Sequence, residues 1–363
     1  MAQAKRITFL VSNDIATDNR VLRIGNTLNK AGYECIITAR LFKNSPALKN
    51  LPKGIKYQRF SLLFNKGPLF YLALNFRFFI HLLFNRNDIV CANDTDTLLA
   101  ASLAVKIKHF KLVFDAHEYF TEVPELINHP KKQALWRKVE GFGIPKAHLC
   151  YTVSRTIADR FMMSYGKEFH LIRNISAPSS QSQIYSDKLP ENFIIYQGVL
   201  NLGRGIELMI ETMDFLPQLH LVICGEGDLS KALREKAKEK ENIHFLGRIP
   251  GKALMSITQK AKLGLSLEEN LGFNYAAALP NKIFSYLEAE IPCICSDLPE
   301  MSSIVSSHKI GEVLRERNPA SLSNLISQII ANRENYQAAL ELAKKQINWE
   351  QESKKLIELY KTL

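Results

Sequence analysis

The sequence predicts an α/β protein of two doubly wound domains, and three observations carry that prediction. Runs of five or six apolar, often β-branched residues recur along the chain; stretches of helical periodicity separate them; and a Ser/Pro/Gln-rich segment, SAPSSQSQIYSDKLPEN over 176–192, divides them into two sets. Continuous apolar runs mark strands buried on both faces, the pattern of parallel sheets whose crossovers are helices. At 363 residues the chain is long enough for two such domains, each able to bury its own core.

In the first half, strands are expected at Ile7–Ser12, Glu34–Thr38, Asp88–Ala92, Lys111–Asp115 and His148–Val153. The run Leu69–Phe84 reads as a helix: it is shorter than the roughly 18–20 apolar residues needed to span a bilayer, and Arg77 and His81 interrupt it. In the second half, strands are expected at Phe193–Gln197, His220–Cys224, Ile243–Leu246, Leu263–Leu267 and Pro292–Ser296, with a helix at Ile206–Met213 and a last one at Glu350–Leu363. The expected division is 1–188, 189–348 and a C-terminal helix from 349. Two doubly wound domains that face each other place a site in the cleft between them, at the carboxyl ends of the strands.

Composition narrows the class. Hydrophobic residues at 46% and charged ones at 23% exclude bulk disorder. Six cysteines are scattered without a Cys-x-x-Cys pair or a His cluster, which reads as core thiols in a reducing compartment and not as a zinc site. The apolar part of the N-terminus is too short for a secretion signal and reads as a first strand, so the chain is expected to be cytoplasmic. The net charge of +11 is lopsided: residues 1–190 carry 27 basic and 14 acidic side chains, and 191–363 carry 20 and 22. The basic residues are scattered, without a recognition motif or interleaved aromatic platforms, which argues against nucleic acid.

Six loops carry candidate chemistry. In ALPNKIFSYLEAEIPCICS, Pro280 suits a first helical turn, and the free N–H groups near Asn281 and Lys282 form an anion site beside the Lys282 charge. An ordinary helix with an exposed Lys fits the same spacing. In YQGVLNLGRG, Gly198 lets backbone approach a ligand, and Gly203 and Gly205 shape a turn that can aim the Arg204 guanidinium at a diphosphate. Cys224-Gly-Glu-Gly-Asp228 lacks the third glycine of a dinucleotide fingerprint, so a tight turn fits it as well as ligand contact by Gly225 or Glu226; Gly247-Arg-Ile-Pro250 has the same status. His117 and Glu118 follow a buried strand, where an α/β domain keeps reactive side chains, and His117 could act as a hydrogen-bond partner or proton shuttle. Asp94-Thr-Asp96 could hold Mg²⁺ against a diphosphate, but it opens a helix, and capping accounts for Asp94 or Thr95 more simply. No metal is expected.

Taken together the chain resembles the GT-B glycosyltransferases, specifically the retaining family four group (glycosyl transferases group 1). The resemblance runs from Asp18-Asn-Arg-Val-Leu-Arg23 and Gly32-Tyr-Glu34 through Asp115-Ala-His-Glu118, Thr152-Val-Ser154 and Asn174. It continues through Gly198…Arg204-Gly205, Gly225-Glu-Gly227, Leu246-Gly247 and Leu279-Pro-Asn-Lys282…Tyr286…Ile291-Pro292 to Trp349 and Tyr360. It implies two Rossmann-like domains, the first for the acceptor and the second for a nucleotide-sugar donor, with the last helix crossing back onto the first. It further implies metal-independent transfer of hexosyltransferase type to a glycan or lipid-linked acceptor in cell-surface polysaccharide synthesis, with no cofactor beyond the nucleotide-sugar co-substrate.

The resemblance assigns Arg204 and Lys282 to the donor diphosphate, Arg248 and Ile249 to the surroundings of the base, and His117 to the transferred sugar. Gly198, Gly203, Gly225, Glu226, Pro280, Asn281 and Ser285 fall on the donor side, and Asn13, Asp18, Arg20 and Glu118 on the acceptor side. The sequence departs from the family at its Glu-x7-Glu pattern, whose positions are Ala277 and Ser285; Asn270 and Asn274 are then candidates for the donor sugar. Two other readings stay open, a nucleotide-sugar epimerase of the same fold and a non-catalytic nucleotide-sugar-binding partner subunit. A monomer or weak dimer is expected. The basic, aromatic-rich segment Leu62–Arg86 fits an anionic membrane surface, as a peripheral protein on the inner face of the cell membrane, and fits equally a buried helix with a solvated basic surface.

Overall fold

A computed structural model of the chain describes residues 4–48, 51–176, 185 and 188–363, so most of the segment 176–192 lies outside the described residues. The chain forms two units, Met1–Asn174 with Glu352–Leu363, and Ile175–Gln351. The first boundary falls earlier than the sequence suggests because Ile175 already packs in the second unit's core, with Phe193, Ile195 and Cys224.

The first unit is a seven-stranded parallel sheet. Its strands are β1 (Arg6–Val11), β2 (Glu34–Arg40), β3 (Lys56–Phe60), β4 (Ile89–Asn93), β5 (Lys111–Ala116), β6 (Leu149–Thr152) and β7 (His170–Leu171), in the order β3-β2-β1-β4-β5-β6-β7. The second unit has β8 (Phe193–Gln197), β9 (His220–Cys224), β10 (Ile243–Gly247), β11 (Gly264–Ser266), β12 (Cys293–Ser296) and β13 (Gly311–Leu314), in the order β10-β9-β8-β11-β12-β13. Both sheets reverse their winding beside the first strand, at β1/β4 and at β8/β11. Loops leaving the carboxyl ends of those strands flank the crevice where doubly wound folds bind ligands.

All ten expected strands are present to within two residues at each end. The three that the sequence did not reveal, β3, β7 and β13, are all edge strands. Half covered or only two residues long, they lack the continuous apolar run that marks a central parallel strand.

The helix Gly67–Phe84 carries Pro68 in its first turn, where a missing N–H costs nothing. It buries Phe70, Leu74, Phe78 and Leu82 on one face, and leaves Leu69, Leu72 and Phe76 more than half exposed on the other. It is long and apolar enough by composition to cross a membrane, with 28% of it buried in the fold. The final helix, Trp349–Lys361, buries Glu352, Leu356 and Tyr360 at i, i+4, i+8 spacing. Glu352 accepts from the Arg173 backbone N–H at 2.9 Å, and the Tyr360 hydroxyl meets that of Tyr151 at 3.3 Å, so the tail completes the first unit. The six cysteines are buried free thiols, their titration pushed up by burial.

Candidate active site

In the second unit the site begins where β8 and β9 end. Gly198 (φ 145°) and Gly225 (φ 154°) bring two loop backbones into contact: the Gly198 N–H donates to Cys224 O at 3.0 Å, and a Cβ on Gly225 would lie 1.8 Å from Gly198 O. Only glycine fits that approach. Gly203 and Gly205, both with positive φ, turn the chain tightly against the loop after β11, where a Cβ on Gly205 would lie 2.1 Å from Leu267 O. The turn presents Arg204 to Glu268, with Nη1 3.7 Å from Oε1.

Lys282 reaches the same carboxylate from the other side. It is the second residue of the helix Asn281–Glu288, which Tyr286 anchors by filling the space beside Gly264 and donating its hydroxyl to Leu265 O at 2.9 Å. Lys282 Nζ donates to Glu268 Oε1 at 2.6 Å and lies 4.4 Å from the centre of the Tyr196 ring, while Ser266 Oγ donates to Oε2 at 2.8 Å. Burial works against the Glu268 charge, but Lys282 and the two hydrogen bonds outweigh it and hold the carboxyl below its usual range. Burial pulls Lys282 down, with Glu268 opposing and Arg204 assisting. Two cations and one carboxylate leave the trio with one net positive charge. It stands at the start of a helix that has neither an acidic residue in its first turn nor a side-chain cap.

Sequence reasoning missed Glu268. Its signal was positional, the first residue after an apolar run expected to end at Leu267, at the carboxyl end of a parallel strand. The exposed Lys that an ordinary helix would carry is not what Lys282 is: it is 8% exposed. Other donor-side candidates lie further out. Glu226 is paired with Arg234 at 2.7 Å, Arg248 is exposed, and Ile249 packs at the edge of the core. Asn270 and Asn281 are exposed, and Asn274 is half-buried. Pro280 is the residue before the helix, and half-buried Ser285 donates to Asn281 O at 3.2 Å. Ala277 is wholly buried, so a carboxylate there would lie in the core.

The first unit carries a second constellation at its own switch point. His117, just after β5, has Nδ1 3.0 Å from Asp94 Oδ2 and Nε2 3.2 Å from Asp115 Oδ2. Asp115 is fully buried and held by Arg20, whose Nε and Nη2 donate to its two oxygens at 3.1 and 2.7 Å. Burial opposes charge on the ring, but the two carboxylates prevail and raise His117 well above 6.5. Two expectations change here. Asp94 precedes the helix Thr95–Ala104, yet its carboxylate makes no cap bond and serves His117 instead. Arg20, expected on the acceptor side, is 4% exposed and is spent on Asp115 and on Ile172 O. Asp18 caps its helix by accepting from the Val21 N–H at 3.0 Å, whereas Asn13 and Glu118 are exposed. Asp96 is pushed up to about 7 by burial and by the Asp94 charge. Among the described residues no three His, Cys, Asp or Glu side chains are grouped to hold a metal ion.

Two parallel sheets wound in this order, with helices between the strands, are the two-domain fold of the GT-B class. Residues 18–175 match the Glycosyltransferase Family 4 model and residues 180–346 the Glycosyl transferases group 1 model. The chain belongs to this glycosyltransferase family. It is 24% identical over 175 residues to the Escherichia coli O-antigen biosynthesis glycosyltransferase WbnH, an alignment covering 46% of this chain and 51% of that protein. The chain spans about half the length of the curated relatives it matches. Among solved structures, it superposes on sucrose-phosphate synthase from Thermosynechococcus elongatus with a TM-score of 0.79 at 15% identity, over 99% of this chain and 98% of that one. It superposes on Anabaena HepE in complex with UDP with a TM-score of 0.76 at 15% identity, over 99% and 100%. At that identity the likeness is one of fold.

Proposed function

We propose that this chain transfers a sugar from a nucleoside-diphosphate donor to a glycan or lipid-linked acceptor in cell-surface polysaccharide synthesis, with retention at the anomeric carbon and without a metal. The convergence of Arg204 and Lys282 on buried Glu268 carries this reading. When the bond from the anomeric carbon to the diphosphate oxygen breaks, both electrons leave with the diphosphate. A preorganised cation aimed at such developing charge lowers a barrier by about 3 kcal/mol. Gly198 lets the diphosphate approach backbone, Arg248 and Ile249 serve the base, and Asn270 and Asn274 serve the sugar. The HepE structures contain UDP and UDP-glucose, and WbnH is named for O-antigen synthesis; both support the donor and pathway class.

A panel of UDP-, GDP- and dTDP-sugars, incubated with the protein and candidate acceptors, tests the proposal. Free nucleotide released only with acceptor supports it, and an isomerised sugar would make the chain an epimerase. The absence of carboxylates at Ala277 and Ser285 favours one competing reading, a binding subunit, which donor binding without turnover would establish. EDTA should leave the rate unchanged; strict dependence on Mg²⁺ or Mn²⁺ would remove the metal-free part.

We further infer that the first unit docks peripherally on an anionic membrane surface from the cytoplasmic side. Exposed Leu63, Leu69, Leu72 and Phe76 lie among exposed Lys66, Arg77 and Arg86. Each basic residue near such a surface contributes about 1 kcal/mol. Co-sedimentation with anionic but not neutral liposomes at low salt is expected; no binding would exclude it.

A further inference from the structure

The first unit invests unusually in His117. Asp94 gives both carboxylate oxygens to that one residue, Oδ1 accepting from the backbone N–H at 2.8 Å and Oδ2 facing ring Nδ1 at 3.0 Å. It does so from φ 62°, the left-handed region that favours glycine, with its own N–H donating to Asp115 O at 2.9 Å. Capping does not account for this conformation: the first turn of the following helix closes on the Asp94 carbonyl, which accepts from Thr97 N at 3.3 Å and Thr97 Oγ1 at 3.2 Å.

Across the ring stands Asp115, pinned by Arg20. Ionised carboxylates only accept, so an imidazole between two of them carries a proton on each nitrogen. The Nε2–H, however, is not aligned on Asp115, and this buried atom makes no hydrogen bond in the fold. The charged groups facing the ring are Asp94, Asp115 with Arg20 behind it, and Asp96 from the turn beyond.

We propose that Asp94 is a positioning residue that, together with Asp115 and Arg20, locks His117 as a doubly protonated donor whose Nε2–H is kept for an oxygen of the bound sugar substrate. The substrate part rests on the transfer reading above; the clamp itself does not.

The test uses the full chain labelled with ¹⁵N-histidine, without substrate, and the His117 resonances assigned through His117→Gln. His117 should remain imidazolium through pH 8, and in Asp94→Asn its midpoint should fall by about one pH unit or more. Asn has the shape of the Asp it replaces and keeps an oxygen for the His117 N–H, so the substitution removes the charge with little else. With donor and acceptor, Asp94→Asn should lower kcat about tenfold at pH 8 and less than about threefold at pH 6, with the donor KM within about twofold. A wild-type His117 that titrates near 6.5 overturns the clamp even if the variant does not fold. A midpoint that Asp94→Asn does not move overturns the Asp94 role. A locked His117 in a protein that transfers no sugar leaves the clamp standing and sinks the transfer reading instead.

Discussion

Lys282 donates to Glu268 across 2.6 Å from a residue 14 positions later in the chain, and both partners are shut away from water. Arg204 closes on the same oxygen from a different loop. A buried ammonium stays charged only beside a counter-charge, so Glu268 keeps Lys282 a cation while capping the site's net charge at one.

Lys282→Ala and Arg204→Ala should each slow transfer by about 2.7–4 kcal/mol of barrier, a hundredfold to a thousandfold. Steady-state kinetics with the best donor checks this. Unchanged rates in both variants would remove the diphosphate site.

Glu268→Gln leaves a buried ammonium beside a guanidinium without its counter-charge, and breaking such a pair costs about 3–5 kcal/mol. Thermal unfolding should show the loss. A saturating nucleoside diphosphate should restore part of it, because the added anion takes over the missing charge. A variant as stable as the parent, with no gain from nucleotide, would contradict this account.

Stability should fall as pH rises from about 4.5 to 7, in part through Glu140. This carboxyl is wholly buried between Thr95 Oγ1 at 2.9 Å and the Tyr165 hydroxyl at 2.6 Å, and burial pushes it up to about 7. A folded value above the unfolded one favours the protonated form. Its stabilisation is therefore full below about 4.5, fades through 7, and amounts to about 3 kcal/mol. Melting curves at pH 5 and 8 should differ less in Glu140→Gln than in the parent; an equal difference would clear Glu140 of the effect.

Gly225→Ala forces a Cβ onto Gly198 O and a side chain into a φ of 154°. The loops after β8 and β9 must then separate. Stability should drop by more than the roughly 1 kcal/mol of an ordinary Gly→Ala strain, and donor affinity should fall with it. Gly251→Ala, with open space around its Cβ, is the control.

Ten of the thirteen strands among the described residues, the helix at Pro280 and the glycine turn around Arg204 could all be read from one dimension. Each is written in a local pattern: a buried apolar run, a helix start, a glycine where backbone must come close. Lys282 and Arg204 were legible for the same reason, since a cation at a helix start or a tight turn has a recognisable neighbourhood. Strands β3, β7 and β13, all at sheet edges, were not, because they lack the continuous apolar run that marks a buried parallel strand. Nor were Glu268, or Asp94 as the partner of His117. Arg20 meets Asp115 across 95 positions, His117 meets Asp94 across 23, and Arg173 meets Glu352 across 179. A carboxylate's role depends on which cation the fold delivers to it, and that delivery is made by strand order. The sequence by itself determined where ten of the strands, the glycine turns and the two cations lie. Only the tertiary structure decided which charges are paired, because pairing depends on distance in space and spacing along the chain does not record it.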